Sequence, residues 1–456
     1  MRQNLLAKDL VWGVAISAAQ TESGSSADPK GKSIWDEFCS KNTAWFGHQS
    51  PIKNNDHIAE SADFFTHYEA DIDLIKKLGF TEFRFSIAWA RVMPDGKQID
   101  PEGIAFYQKV VAYCLSKQIT PWITLYHWDL PAALQTYGGW SNRQIIADFL
   151  NYVKYVVSAL PEVKHWIILN EPSVFLGAGY LLGIHAPGVK NFRKMLAGTH
   201  HAMLCIAEAY KVIKHIQPNS QVGSSFSFTH IESYSHHAKD IKAAKLADCL
   251  INRLFIEPLL GLSYPFEEYK ALKAIKSFIQ PGDLETLATP LDFIGIQTYT
   301  REVFKHNPFN FILPIKHIPA HERSLDLSAT NWEMYPESLY QCIMKVHAYG
   351  LGAALYITEN GVAFKDEPIF ERVHDYPRIH YYKMHINEVL RAKQNGANVK
   401  GYFAWSLLDN FEWAEGYEPR FGLVYVDFKT KQRLLKDSAY WFQKWLKSLH
   451  PIAETM

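Results

Sequence analysis

The sequence carries no excess of either charge: over 456 residues, Lys plus Arg and Asp plus Glu number 47 each. A neutral balance gives no electrostatic footprint for nucleic acid or an anionic membrane, and neither is expected as a partner. Cysteine is sparse, with five residues at 39, 114, 205, 249 and 342, an odd number without a C-x-x-C pair. That spacing argues against a disulfide framework or a zinc site and fits a reducing, cytoplasmic compartment. Histidine numbers 20, but there is no H-E-x-x-H. The doublets His200-His201 and His236-His237 read as surface or capping residues, not metal ligands. No apolar run approaches the roughly 20 residues of a membrane-spanning helix. Residues 10–19, LVWGVAISAA, mimic the apolar part of a signal peptide, but Asp9 directly precedes them and the run reads as a strand. A dinucleotide fingerprint is also missing. GAGYLLG at 177–183 sets its third glycine one residue too far, and GLGAAL at 350–355 lacks it, so a nicotinamide-dependent oxidoreductase is a poor reading.

What is present is a large core. Hydrophobic residues make up 48% and charged residues 21%, a soluble globular composition. Aromatics reach 14%, with 13 Trp and 24 Tyr, which suits either a packed core or a cleft with aromatic faces. No low-complexity linker or charge block divides the chain. Strand-like runs recur at 11–17, 82–89, 121–128, 165–170, 222–228, 291–299, 354–360 and 399–407. Amphipathic segments such as 68–80 and 104–117 lie between them, with apolar residues at three- and four-residue spacing. Eight buried strands separated by helices predict a single (β/α)8 TIM barrel over residues 1–456 with extended βα loops. A doubly wound open sheet is the competing fold. Residues 300–335 break the rhythm and read as a long loop beside the barrel mouth.

The stretch HWIILNEPS at 165–173 poses the chemical question. A compact apolar run ends in Asn170 and Glu171, and a carboxylate at the end of a buried strand is costly unless it is neutralised or used. Other strands end comparably: Gln20 follows the first, Arg84 lies in the second, and His127 and Trp128 close the third. Gln297, Thr298 and Tyr299 close the sixth, Glu359 and Asn360 the seventh, and Trp405 the eighth. Each has an ordinary structural explanation alone, but in a barrel the C-terminal strand ends converge on one pit. Two carboxylates in one pit suit glycosidic bond cleavage, one protonating the leaving oxygen and the other staying ionised. A separation of ~5 Å means retention and one of ~6.5–9.5 Å inversion, a choice the residues leave open.

LNEP at 169–172, ITENG at 357–361, YHWDLP at 126–131, FRFSIAW at 83–89 and SLLDNFEWAEGY at 406–417 together resemble glycoside hydrolase family 1, the β-glucosidase family. The likeness runs from GVAISAAQ near the start to RFGLVYVDF at 420–428. It implies a retaining β-glycosidase without cofactor or metal, acting on a small β-glycoside or short oligosaccharide. Terminal β-D-glucosyl residues are the expected substrate, with β-galactosides and β-fucosides as further candidates; homo-oligomer formation is left open. By that resemblance Glu171 is the general acid/base, Glu359 the nucleophile and Asn170 the amide on the sugar 2-hydroxyl. Gln20, His127, Trp128, Glu412 and Trp413 grip the sugar and Trp405 lies under its ring. Tyr299 and Arg84 support the nucleophile, and Trp332 stacks on the aglycone.

Several positions depart from the family's pattern. QTES stands at 20–23 where Q-I-E-G is usual, Ile168 where Thr is, and Ser173 where an aromatic is. Gln297 and Thr298 replace an amide and an aromatic, which bears on the aglycone subsite and on rate. A 6-phospho-β-glucosidase and a catalytically weak carbohydrate-binding member are the alternatives. Glu412 speaks against the first, because a carboxylate repels a phosphate dianion, and the paired glutamates speak against the second.

Overall fold

Short runs of branched and aromatic residues, each bounded by polar or turn-forming residues, make the eight strands that organise the molecule. The computed structural model describes residues 2–23, 30–41, 50–310, 313–323 and 326–449. The barrel strands are β1 (Val11–Ala15), β2 (Glu82–Ser86), β3 (Thr120–Tyr126), β4 (His165–Asn170), β5 (Gln221–Ser227), β6 (Phe293–Gln297), β7 (Ala354–Asn360) and β8 (Val399–Trp405). They close into one barrel in chain order, every pairing parallel, with β1 beside both β2 and β8. All eight expected strands are present; β4 and β7 match their expected bounds, and the others end earlier than expected. The apolar run at 10–19 supplies β1 and is thus built into the barrel.

Helices cover the outside, and the local signals are readable. Pro101–Ser116 starts at Asp100, whose carboxylate accepts from the Glu102 amide at 2.9 Å, with proline in the first turn. Phe64–Leu78 stops at Gly79, whose φ of 87° is the left-handed conformation that glycine adopts freely. Among the described residues no helix is long and apolar enough to cross a membrane.

The barrel interior is layered. Near the N-terminal strand ends Trp122, Ile167, Phe293 and Phe403 form a buried apolar plug with Tyr356 against it. The Trp122 indole donates to Glu82 at 2.7 Å, so the layer is sealed without orphaning its one N–H. Above the plug, Ser225 donates to Thr358 at 2.9 Å and Arg84 to Thr124 at 3.2 Å. Gly295 makes room for this layer, since a Cβ there would collide with the Ser225 and Thr358 hydroxyls. The apolar floor keeps water from entering beneath the polar groups at the mouth.

Two expectations are corrected. The segment 300–335 is not a plain loop: Arg301–His306 and Ile315–Ile318 pair antiparallel, and His230–Ser233 joins them in parallel. Arg301 locks this small sheet, reaching Glu232 at 2.8 Å and Glu333 at 2.9 Å. Nor are His200 and His201 at the surface. Both are buried in helix Phe192–Ile216, with His200 bridging the Tyr264 hydroxyl at 2.9 Å and Asp283 at 2.8 Å. His236 and His237 are exposed, as expected.

If the aromatic plug carries the barrel, Trp122→Ala should cost about 3–5 kcal/mol, the usual range for deleting a fully buried large aromatic. Urea unfolding should show a lower midpoint; a loss under ~1 kcal/mol would mean that the barrel does not depend on this layer.

Candidate active site

Each polar side chain at the mouth is set by the strand end that carries it. In β4 the pairing with β5 slips between Ile167 and Asn170, and in β7 the pairing with β6 slips between Ile357 and Glu359. Such irregularities re-aim side chains, and here they occur at the two strands bearing the carboxylates. Glu171 has φ 48°, an uncommon conformation for a residue with a side chain. Its N–H is anchored on the Ser225 carbonyl at 2.9 Å and Pro172 opens the next helical turn. Gly361, directly after the Glu359-Asn360 pair, could bear no Cβ without striking the Trp405 carbonyl oxygen.

Arg84 is fully buried at the centre. Its guanidinium is salt-bridged to Glu359 Oε1, donates to Asn170 Oδ1 at 2.6 Å and to the Thr358 carbonyl at 3.1 Å. Tyr299 donates to Glu359 Oε2 at 2.7 Å, so both Glu359 carboxylate oxygens are oriented. Gln297 donates to Asn170 Oδ1 at 2.7 Å. With that oxygen taken twice, the Asn170 Nδ2 must be the atom 3.0 Å from His127 Nε2. Nε2 therefore accepts, which assigns the imidazole proton to Nδ1, an atom with no hydrogen-bond partner among the described residues. The result is a neutral imidazole whose donor is the Nδ1–H.

A cleft of about 680 Å³ opens above this network. Gln20, His127, Trp128, Glu171, Tyr299, Trp332, Trp405, Glu412 and Trp413 all line it. Arg84, Asn170 and Glu359 lie behind that lining and reach it through Tyr299 and His127. Trp128 and Trp413 pack at 4.6 Å between centroids, His127 lies nearly parallel to Trp405, and Trp332 packs on Tyr299. These are the flat apolar faces and clustered polar tips that sugar rings require. Gln20 is more constrained than expected: its amide donates to Asn410 and Phe411 at 3.0 and 2.9 Å and to Glu412 at 3.5 Å, while Ser17 donates to its oxygen.

The whole chain matches a known family. Residues 2–450 fit the model for "Glycosyl hydrolase family 1". The chain belongs to that family. It is 38% identical over 443 residues to a 1,4-beta-D-glucan glucohydrolase of Thermotoga neapolitana, covering 96% of this chain and 97% of that one. It is 34% identical over 470 residues to a 6-phospho-beta-galactosidase of Staphylococcus aureus, covering 96% and 97%. A beta-glucosidase from Thermotoga maritima, solved in complex with deoxynojirimycin, superposes with a TM-score of 0.90 at 37% identity, covering 97% of this chain and 98% of that one.

In this family 1 glycoside hydrolase the two carboxylates sit in unlike surroundings. Burial pushes the Glu171 proton affinity well up, and the charge of Glu359 adds to it. Burial raises Glu359 too, but Arg84, Tyr299 and Gln297 stabilise its ionised form and oppose that rise. The proton therefore belongs on Glu171. Glu412 is pushed up to about 8 by burial and then by Glu359 and Glu415. His127 is held well below the ordinary imidazole range by burial and then by Arg84, in keeping with its neutral tautomer.

Reading the strand ends alone missed the outer cleft: Val174, Ile184, His185, Phe228, Glu302 and Glu415 also line it. Most stand on loops or in the extra sheet, where alternation gives no signal.

Tyr299→Phe removes one donor from the carboxylate that must be ionised. Its affinity for a proton then rises, so the acid limb of kcat/KM should move to higher pH, with about tenfold or greater loss at the optimum. An unchanged acid limb in the pH profile would dissociate Tyr299 from that ionisation.

Proposed function

We propose that the enzyme hydrolyses unphosphorylated terminal β-D-glucosides with retention, Glu359 acting as nucleophile and Glu171 as acid/base. The observation that carries the reading is the asymmetry of the pair: Glu359 is gripped by Arg84 and Tyr299, whereas burial and the charge of Glu359 hold the proton on Glu171. In the first step a Glu359 oxygen attacks the anomeric carbon while the bond to the aglycone oxygen breaks and Glu171 gives that oxygen its proton. Loss of the proton leaves Glu171 ionised and ready for its second role. A water then attacks the anomeric carbon, passes a proton to Glu171 and releases Glu359. On this reading Asn170 is assigned to the 2-hydroxyl, His127 Nδ1–H to a neighbouring hydroxyl, and the Trp405 face to the ring.

Among the described residues no Lys or Arg lines the cleft, while Glu412 does. A phosphate dianion would thus be desolvated beside a carboxyl group without a cation to meet it. This favours free glucosides over the phosphorylated sugars named for the Staphylococcus relative.

The deciding assay is initial-rate hydrolysis of nitrophenyl β-D-glucoside by wild type and Glu359→Gln, with the 6-phosphoglucoside in parallel. Turnover of the unphosphorylated sugar, reduced by about 10³-fold or more in the variant, is expected; turnover only of the phosphorylated one would overturn the reading. Glu171→Ala should harm substrates with poor leaving groups most, because an activated phenol needs little protonation. Equal losses across a leaving-group series would remove Glu171 from that role.

A further inference from the structure

The outer part of the cleft has a charge character unrelated to holding glucose. Its lining includes Glu302, from the small sheet after β6, and Glu415, from the loop after β8, in addition to Glu171 and Glu412 deeper in. Among the described residues the ionisable lining is otherwise His127, His185 and Tyr299. Both imidazoles are held neutral by burial, and His185 is pushed down to about 4. The segments outside the described residues contain no Lys or Arg.

Lys53 and Arg323 approach Glu415 and Glu302, but each is held more closely by another carboxylate. Lys53 is 2.7 Å from Glu418 and only 3.8 Å from Glu415, and Lys365 also pairs with Glu418. Arg323 pairs with Glu333 and donates to the Arg301 carbonyl at 3.1 Å, leaving 3.9 Å to Glu302. Arg301 is taken by Glu232 and Glu333. His317 bonds one Glu302 oxygen from the side of the sheet. Among the described residues, an aglycone leaving the glucose site therefore meets two carboxylates and no Lys or Arg in the lining.

We infer that Glu302 and Glu415 select the aglycone by charge, so that the enzyme accepts β-glucosides with neutral or cationic aglycones and rejects anionic ones. The inference rests on the β-glucosidase reading above. Coulomb energy between unit charges at contact distance is large enough near a protein surface to separate such substrates, and salt weakens it. Glu415 is 53% exposed and Glu302 26%, so the effect is one of the rim, screened by salt and not locked in by burial.

The test compares kcat/KM for three phenyl β-D-glucosides bearing para nitro, carboxylate and trimethylammonio groups. Wild type is measured beside Glu302→Gln, Glu415→Gln and the double variant. Leaving-group chemistry is the same in every variant, so the cationic-to-anionic ratio reports the protein. That ratio should fall on the order of tenfold from wild type to the double variant, with each single between. In wild type it should also shrink as NaCl rises toward 1 M, which checks the idea without any substitution. Nitrophenyl glucoside turned over, with a ratio insensitive to both substitutions and salt, overturns this inference alone. No turnover of the nitrophenyl glucoside by folded wild type overturns the underlying reading and this inference with it.

Discussion

A guanidinium sealed inside a barrel is tolerable only if its donors are met, and that requirement organises the site. Arg84 has no solvent exposure, and its partners come from β3, β4 and β7: Thr124, Asn170, the Thr358 carbonyl and Glu359. A buried ion pair contributes little net stability, but it becomes very costly when one partner is withdrawn. The strand ends are consequently locked together in register around one cation. Charge state follows from the same constraint. Arg84 favours the ionised form of Glu359, burial and then that charge keep the proton on Glu171, and the Arg84 contact with Asn170 fixes the amide that in turn fixes the His127 tautomer. One buried charge thus sets three protonation states.

The backbone around this centre is under local strain that the surroundings hold in place. Trp128, Glu171 and Trp413 have φ of 74°, 48° and 52°, values that side-chain-bearing residues avoid. Each strained residue lies within a fixed frame. Trp128 donates to the Asn170 carbonyl at 2.9 Å, Glu171 is anchored on Ser225, and the Glu412 amide donates to Gly416 at 2.7 Å. A second buried ionic cluster supports the loops after β7 and β8. Lys436 spans Asp366 and Asp409 at 2.5 and 2.7 Å, and Arg378 joins Asp366 to Asp375. Trp405, Glu412 and Trp413, which line the cleft, are carried near these anchored points, so this wall is braced although it is built largely of loop.

This division explains what was legible in the residues and what was not. The barrel was readable because strands buried on both faces become continuous apolar runs, and eight of them in alternation with helices leave few architectures. Glu171 and Glu359 were readable because a carboxylate ending such a run demands a reason. The small sheet over 301–318 was not: REVFKH and IKHI are short and largely half-exposed, so they mix charge with apolar residues and show no clean alternation. His200 failed for the opposite reason. Helix Phe192–Ile216 is buried continuously from Met195 to Ala207, so it has no polar face on which a histidine could be placed. The partners of His200 lie 64 and 83 residues away, and such distant satisfaction leaves no local trace.

The departures from the family's usual residues acquire a physical meaning once their contacts are known. Gln297 is one methylene longer than the asparagine it replaces, yet its amide reaches Asn170 Oδ1 at 2.7 Å. The interaction needed to orient Asn170 is therefore made, and the change at this position is absorbed inside the wall. Thr298 is different, because its hydroxyl turns away to the Phe228 carbonyl at 2.8 Å while the residue still lines the cleft. A small side chain there, where an aromatic is usual, occupies less of the cleft. It does so next to the sheet that carries Glu302. Gln297 thus keeps a hydrogen bond within the buried network, whereas the change at Thr298 bears on the lining of the cleft.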